Sequence, residues 1–189
     1  MNDTRNHSSS WEKYILAALA IAALSHLAII HLVPCHRIDA AMDALSDGGM
    51  QFNQWARFER FAEPVAGAQA PNPDVMTAAC VYDVAPGPVL ITLGPWRDYW
   101  SLAFYDDQGE PYQTLSDREA PNRPRIVLMR RGAETPAIQM QGGQAQIVES
   151  PSGRGMVVLR RLAPSASSHA EAVRTAEADV CGNLEALNR

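Results

Sequence analysis

The chain has 189 residues, 16 basic against 21 acidic, and is 47% hydrophobic but 7% aromatic, a composition that suits one globular core and excludes a disordered tail. A formal charge of -5 and a pI near 5.5 exclude a general nucleic-acid binder, because duplex affinity comes from many phosphate contacts on a basic face. Cys35, Cys80 and Cys181 contain no C-x-x-C pair, which excludes a zinc ribbon and a thioredoxin-type redox site.

Tyr14 to Val33 (YILAALAIAALSHLAIIHLV) carries no formal charge. As a helix rising about 1.5 Å per residue it spans roughly 30 Å, enough to cross a bilayer. The mean hydropathy of -0.18 conceals it, since the rest of the chain is polar. Arg5, Lys13 and the α-amino group precede the segment and Arg37 follows it, so the positive-inside bias puts the N-terminus in the cytoplasm. The run exceeds a signal-peptide core of about 7 to 15 residues, and Val33-Pro34 lacks the small residue a cleavage site wants. Pro34 before Cys35 likewise argues against lipidation. The expected division is a cytoplasmic tail over 1–13, an uncleaved transmembrane helix over 14–33 and a periplasmic β-rich domain over 34–189, at a bacterial inner membrane. His26 and His31 stand about 140° apart on a helix, too far to share a face, and Pro34 is expected to end the regular geometry.

Arg37 to Leu45 sets Ile38, Ala41, Met42 and Leu45 at helical spacing, a short juxtamembrane helix that Asp47-Gly48-Gly49 stops. Phe52, Trp55, Phe58 and Phe61 follow at intervals of three, a stripe suited to core or sheet-edge packing. From Val75 onward, short β-branched and aromatic runs alternate with Pro, Gly, Asp and Asn, the signature of a many-stranded antiparallel fold. Strands are expected over Val75–Val84, Pro88–Leu93, Tyr99–Tyr105, Tyr112–Leu115, Arg125–Arg130, Ala145–Val148 and Met156–Leu162. Turns fall at 85–87, 106–109, 141–143 and 152–155, where Gly, Pro and Asp supply the required φ. Ser168 and Glu171 read as a capping box opening a helix to about Asp179, with Val173, Ala176, Val180, Leu184 and Leu187 forming an apolar stripe if the helix continues beyond Gly182.

The chemistry-bearing residues are sparse. Beyond the membrane segment, His36 and His169 are the histidines available as a base, and no G-x-S-x-G elbow occurs, so a nucleophilic triad has little to build on. Clustered metal ligands are missing from the local spacing, and neither a metal nor a cofactor is expected. Asp106-Asp107-Gln108-Gly109 reads first as a hairpin turn. Asp74, after Pro71-Asn72-Pro73, is better placed for a special role, because two prolines stiffen its approach. Arg130-Arg131 and Arg160-Arg161 end strands, where charge protects edges. Cys80 and Cys181 either pair in an oxidising compartment or remain two buried thiols.

The segments Asn53-Gln54-Trp55, PNPDVMTAACVYDVAPGPVLITL at Pro71 to Leu93 and RDYWSLAFYDDQGEPY at Arg97 to Tyr112 resemble the domain-of-unknown-function family numbered twelve fifty-four. The shared features are Pro71, Asn72 and Asp74, the strand ending near Asp83, Gly87-Pro88, Tyr99-Trp100-Ser101-Leu102 and Tyr105-Asp106. Val75 and Thr77 stand where relatives carry Thr and Tyr, so a polar site built on that motif elsewhere is not carried over. The resemblance implies a mainly β fold, an antiparallel β-sandwich or jelly-roll-like domain, here with an N-terminal transmembrane helix and a C-terminal helix. It also implies a separate partner protein carrying the companion domain numbered twelve fourteen. The resulting expectation is an envelope interaction module in the periplasm, with no catalytic residues and no nucleic acid. Its rival is a small-molecule or hydrolytic site formed by Asn72, Asp74, Asp83, Arg97 and Tyr99, with aromatic walls from Trp96, Tyr99 and Trp100.

Overall fold

The computed structural model describes residues 10–47, 51–61, 72–120, 123–134 and 145–184. The expected turns at Gly48-Gly49 and 141–143 lie outside these residues. The N-terminal segment forms one helix, α1, over Ser10–Asp47, 38 residues in length. It therefore runs through Pro34, and the expected break before a separate juxtamembrane helix does not occur. A proline forfeits one i to i−4 hydrogen bond and bends the axis, yet the backbone is helical on both sides of Pro34. Within α1, Trp11–Ile30 has a mean hydropathy of 1.9 and buries nothing against the rest of the protein. By length and composition it is able to cross a membrane.

The domain that follows holds β1 (Trp55–Arg57), β2 (Val75–Asp83), β3 (Val89–Thr92), β4 (Trp100–Tyr105), β5 (Pro111–Ser116), β6 (Arg125–Arg130), β7 (Gln146–Ser150) and β8 (Arg154–Leu162). Helix α2 (Ala166–Thr175), a 3-10 turn (Ala176–Ala178) and β9 (Val180–Asn183) complete the described elements. They form a five-stranded sheet in the order β1-β2-β8-β4-β5 and a four-stranded sheet in the order β7-β6-β3-β9. Alternation decides which side chains meet between the sheets. On β2, Met76, Ala78, Cys80 and Tyr82 enter a core shared with Val89 and Ile91 of β3, Leu102 and Phe104 of β4, and Ile126 and Leu128 of β6. The intervening Ala79 and Val81 lie on the outer face with Ala56, Phe58 and Met156.

The sandwich is mainly antiparallel, with one exception: β6 and β7 pair in parallel, Ile126 opposite Gln146 through Arg130 opposite Ser150. The aromatic stripe resolves into β1, which pairs with β2 through Trp55 opposite Cys80, while Phe61 is left exposed. The helix cap also sits one turn earlier than expected. Ser165 is the N-cap and Ser168 the third helical residue: the Ser168 amide donates to Ser165 Oγ at 3.0 Å and the Ser165 amide to Ser168 Oγ at 3.0 Å. Beyond the 3-10 turn the chain extends as β9, and Val180 to Asn183 pair with β3, where a continued helical stripe was expected.

A disulfide and a buried ion pair tie the sheets together. Cys80 on β2 and Cys181 on β9 form a disulfide with Cα atoms 6.6 Å apart and a sequence separation of 101. Towards the end of β2 marked by Met76, the Arg161 guanidinium forks onto Asp179, Nη1 to Oδ2 and Nη2 to Oδ1 each at 2.7 Å. Both side chains are removed from water, at 0% and 2% exposure. Gly94 completes the group, its amide donating to Asp179 Oδ1 at 2.8 Å and its carbonyl accepting from Arg161 Nη2 at 3.3 Å. A Cβ on Gly94 would lie 2.7 Å from the Thr175 carbonyl oxygen, so only glycine lets the chain approach this closely.

Replacing Cys80 and Cys181 together by alanine is expected to lower unfolding stability by about 4 kcal/mol, the loss of a cross-link closing a loop of roughly 100 residues. Urea titration of the full chain in detergent, followed by tryptophan fluorescence, measures it, and an unchanged midpoint contradicts it. Arg161→Met alone should cost about 3 to 5 kcal/mol by stranding a buried carboxylate, and combining it with Asp179→Leu should recover most of that loss.

Candidate functional site

Strand β2 separates the residues that the sequence grouped into one site. Asp74 immediately precedes its first residue and Asp83 is its last. Nine steps of about 3.3 Å put them roughly 30 Å apart, at opposite rims of the sandwich. A single pocket formed by both carboxylates is excluded by this geometry.

At the first rim, Asn72 and Asp74 build a turn. Asn72 Oδ1 accepts from the Asp74 amide at 2.9 Å, and the Asn72 carbonyl accepts from the Val75 amide at 3.0 Å. The Asp74 carbonyl accepts from the Ala163 amide at 2.8 Å, and the Tyr99 carbonyl from the Leu162 amide at 2.9 Å. Asp74 and Tyr99 thus flank the end of β8 from its two neighbouring strands, roughly 10 Å apart across two strand spacings. Arg60 joins the same rim, donating to the Pro73 carbonyl at 2.8 Å and to that of Pro164 at 2.7 Å, with its guanidinium carbon 5.4 Å from the centre of the Phe61 ring. Arg97 reaches Asp98 and Glu171, each at 3.5 Å. Such exposed pairs contribute little to stability. Tyr99 is 48% exposed, Leu162 41% and Phe61 79%. The expected aromatic walls are otherwise absent from the surface, since Trp96 and Trp100 are buried in the core.

The second rim is occupied with holding the chain. Asp83 Oδ1 accepts from the Ala85 amide at 2.8 Å and Oδ2 from Arg154 Nε at 2.9 Å. Asn53, at φ 61°, mimics a strand neighbour: its Oδ1 accepts from the Asp83 amide at 2.9 Å and its Nδ2 donates to the Asp83 carbonyl at 3.2 Å. Arg154 also lies over the Phe52 ring, 5.0 Å from its centre. Asp106 closes the hairpin between β4 and β5, Oδ1 accepting from the Gln108 and Glu110 amides at 2.9 Å each. This is the turn that its sequence suggests.

Near this rim lies a polar group that the sequence does not reveal. The Tyr82 hydroxyl contacts Ser150 Oγ at 2.8 Å and the Tyr112 hydroxyl at 3.1 Å, and donates to the Tyr105 carbonyl at 3.0 Å. It bridges the sheets, with Tyr82 and Tyr112 from one and Ser150 from the other. Gly155 makes room, for a Cβ there would strike both the Tyr105 carbonyl oxygen and the Tyr82 hydroxyl. Three residues far apart in sequence create this site, and none carries a local motif. Burial raises the pKa of both tyrosines, the strongest cause in each case. They remain neutral hydrogen-bonding groups rather than phenolate nucleophiles. Burial and the nearby Arg60 charge lower the pKa of His169, which keeps that imidazole neutral at pH 7. Among the described residues no group of three or more His, Cys, Asp or Glu is placed to hold a metal ion.

The two tyrosines bind their protons more tightly folded than unfolded, so above the ordinary value of 10.0 the folded state holds more protons and stability falls as pH rises. Full-length protein titrated from pH 8 to 11 is expected to lose thermal stability through this range, and Tyr82→Phe with Tyr112→Phe should flatten the loss. An identical alkaline slope in that double variant contradicts the assignment.

The family model described as "Protein of unknown function (DUF1254)" matches residues 52–181. The VPA0106 protein of Vibrio parahaemolyticus has a similar fold, with a TM-score of 0.64 at 14% identity, covering 82% of this chain and 36% of that one. An uncharacterized protein from Burkholderia cenocepacia matches with a TM-score of 0.47 at 12% identity, covering 66% of this chain and 35% of that one. This chain therefore spans little more than a third of the length of these solved structures. No curated protein matches it.

Proposed function

The chain belongs to the DUF1254 family, and we propose that it is a single-pass inner-membrane protein whose sandwich stands in the periplasm as a docking module for another envelope protein. The tail over 1–13 lies in the cytoplasm, 14–33 cross the membrane as an uncleaved anchor, and 34–189 are exported. Two features support the location. The helix over Ser10–Asp47 contains an exposed apolar stretch of bilayer length, and the domain behind it carries the Cys80–Cys181 disulfide, a bond that persists in oxidising compartments.

The docking role is carried by one observation: Phe61, Tyr99 and Leu162 are exposed on the rim that also holds Arg60 and Arg97. This rim is opposite the one where Phe52 and Asn53 bring the chain in from α1. Aromatic and Arg side chains clustered in this way suit the anchors of a protein interface. The partner we infer carries the companion domain numbered twelve fourteen. Relatives of this fold support that choice to the extent that the VPA0106 protein is much longer than this chain, so that in it further polypeptide accompanies the sandwich.

Affinity purification of the full-length protein from native membranes in mild detergent, with protein and small-molecule mass spectrometry on the same sample, is expected to yield a stoichiometric protein partner. Tyr99→Asp with Leu162→Asp should reduce its recovery roughly tenfold or more, the effect of losing an anchor worth about 1.4 kcal/mol. Full recovery with that variant sinks the docking assignment. A retained metabolite without a protein partner replaces it with a ligand site at the same rim, for which Asp74→Ala is the first substitution.

A further inference from the structure

We propose that α1 pairs with α1 of a second copy of this chain, in parallel and in register, so that the functional unit is a two-fold dimer joined through its anchor and stalk. The pairing rests on the uncleaved anchor proposed above. The helix is far longer than a bilayer requires. Of its residues, 34–47 lie beyond the proposed span over 14–33, a continuation of about 20 Å at 1.5 Å per residue. Helical stability in proteins comes mostly from burying an amphipathic face against a neighbour. Something must supply that burial.

The sequence of the stalk marks one helix face as apolar. Its large apolar residues are Ile38, Met42 and Leu45, spaced by four and three, while Arg37, Asp39, Asp43 and Asp47 lie off that stripe. Alternating steps of three and four form the seam of a left-handed two-stranded coiled coil. Carried back with the same alternation, the stripe passes through Cys35 and His31 and continues as Ala28, Leu24 and Ile21 in the apolar stretch. Leu24 and Ile21 are 67% and 65% exposed, so nothing within the chain covers the seam there. Pro34 lies beside the stripe rather than on it.

A second copy is the occupant that fits without further assumption. Copies inserted by the same anchor enter the membrane in one direction with their helix ends at one depth, which supplies the parallel register that a self-complementary seam needs. Cys35 gives an independent pointer. Cys80 and Cys181 join each other, which leaves Cys35 as the odd one of three cysteines, and an odd cysteine in an exported chain is either a free thiol or the site of an intermolecular pair. It falls on the seam, where two copies would bring residue 35 face to face.

Cysteine scanning of the full-length protein in native membranes tests the pairing. Diamide is added, taking two protons and two electrons from two thiols as they join, and the products are separated without reductant. Cys80 and Cys181 are retained. The native Cys35 should give a band at twice the chain mass that Cys35→Ser abolishes. In the Cys35→Ser background, Ile38→Cys, Met42→Cys and Leu45→Cys should restore that band, with yields several-fold above Ala40→Cys and Asp43→Cys on the opposite side. Equal yields at all positions, or no dimer at any of them while the protein resists carbonate extraction, would overturn the pairing. Release of the protein by carbonate would instead overturn the anchor on which it rests.

Discussion

A guanidinium withdrawn from water must be answered where it lies, and the answer to Arg161 organises the C-terminal third of the domain. Its fork onto Asp179 fixes the residue just before β9, and Gly94 fixes the residues just after β3. With both ends held, β9 has one register against β3, Cys181 opposite Ile91. That register presents the Cys181 sulfur to Cys80. The ion pair thus sets the geometry and the disulfide locks it. The cost of desolvating two charges is tolerable because Gly94 satisfies further hydrogen bonds of the pair.

Much of the sandwich is legible in the sequence, because strand alternation and turn chemistry are local. Arg125–Arg130 is predicted to the residue, and the other long strands differ at their ends by one or two. The failures share a cause. The three residues of β1 and the four of β9 are strands only because a neighbour accepts them, and short segments of mixed pattern carry no such signal of their own. The parallel placing of β7 is likewise a decision of the whole sheet. Pro34 misleads in the opposite direction, a strong local breaker with helical backbone on both sides of it.

The candidate site was legible in composition but not in place. Asn72, Asp74, Arg97 and Tyr99 do share a rim, since the ends of β2 and β4 flank the end of β8. Asp83 belongs to the other rim because β2 is straight and nine residues long. There it works with Asn53 and Arg154 to hold the incoming chain. The Tyr82, Tyr112 and Ser150 group escaped notice because hydroxyl residues are common on strands and only the folded sheets bring these three together. Each rim carries an arginine against an aromatic ring, Arg154 with Phe52 at one and Arg60 with Phe61 at the other, and the former also receives and fastens the incoming chain.

The separation of 101 residues between the two disulfide partners also sets a timetable. A chain that emerges N-terminus first delivers Cys80 long before Cys181, and β2 with its inward Met76, Ala78 and Tyr82 waits for strands not yet made. The final strand is the one that completes the second sheet and brings the last sulfur. Until it arrives the second sheet lacks its β9 edge and Cys80 lacks its partner, so the interval between the two cysteines is when assistance from a chaperone would count most.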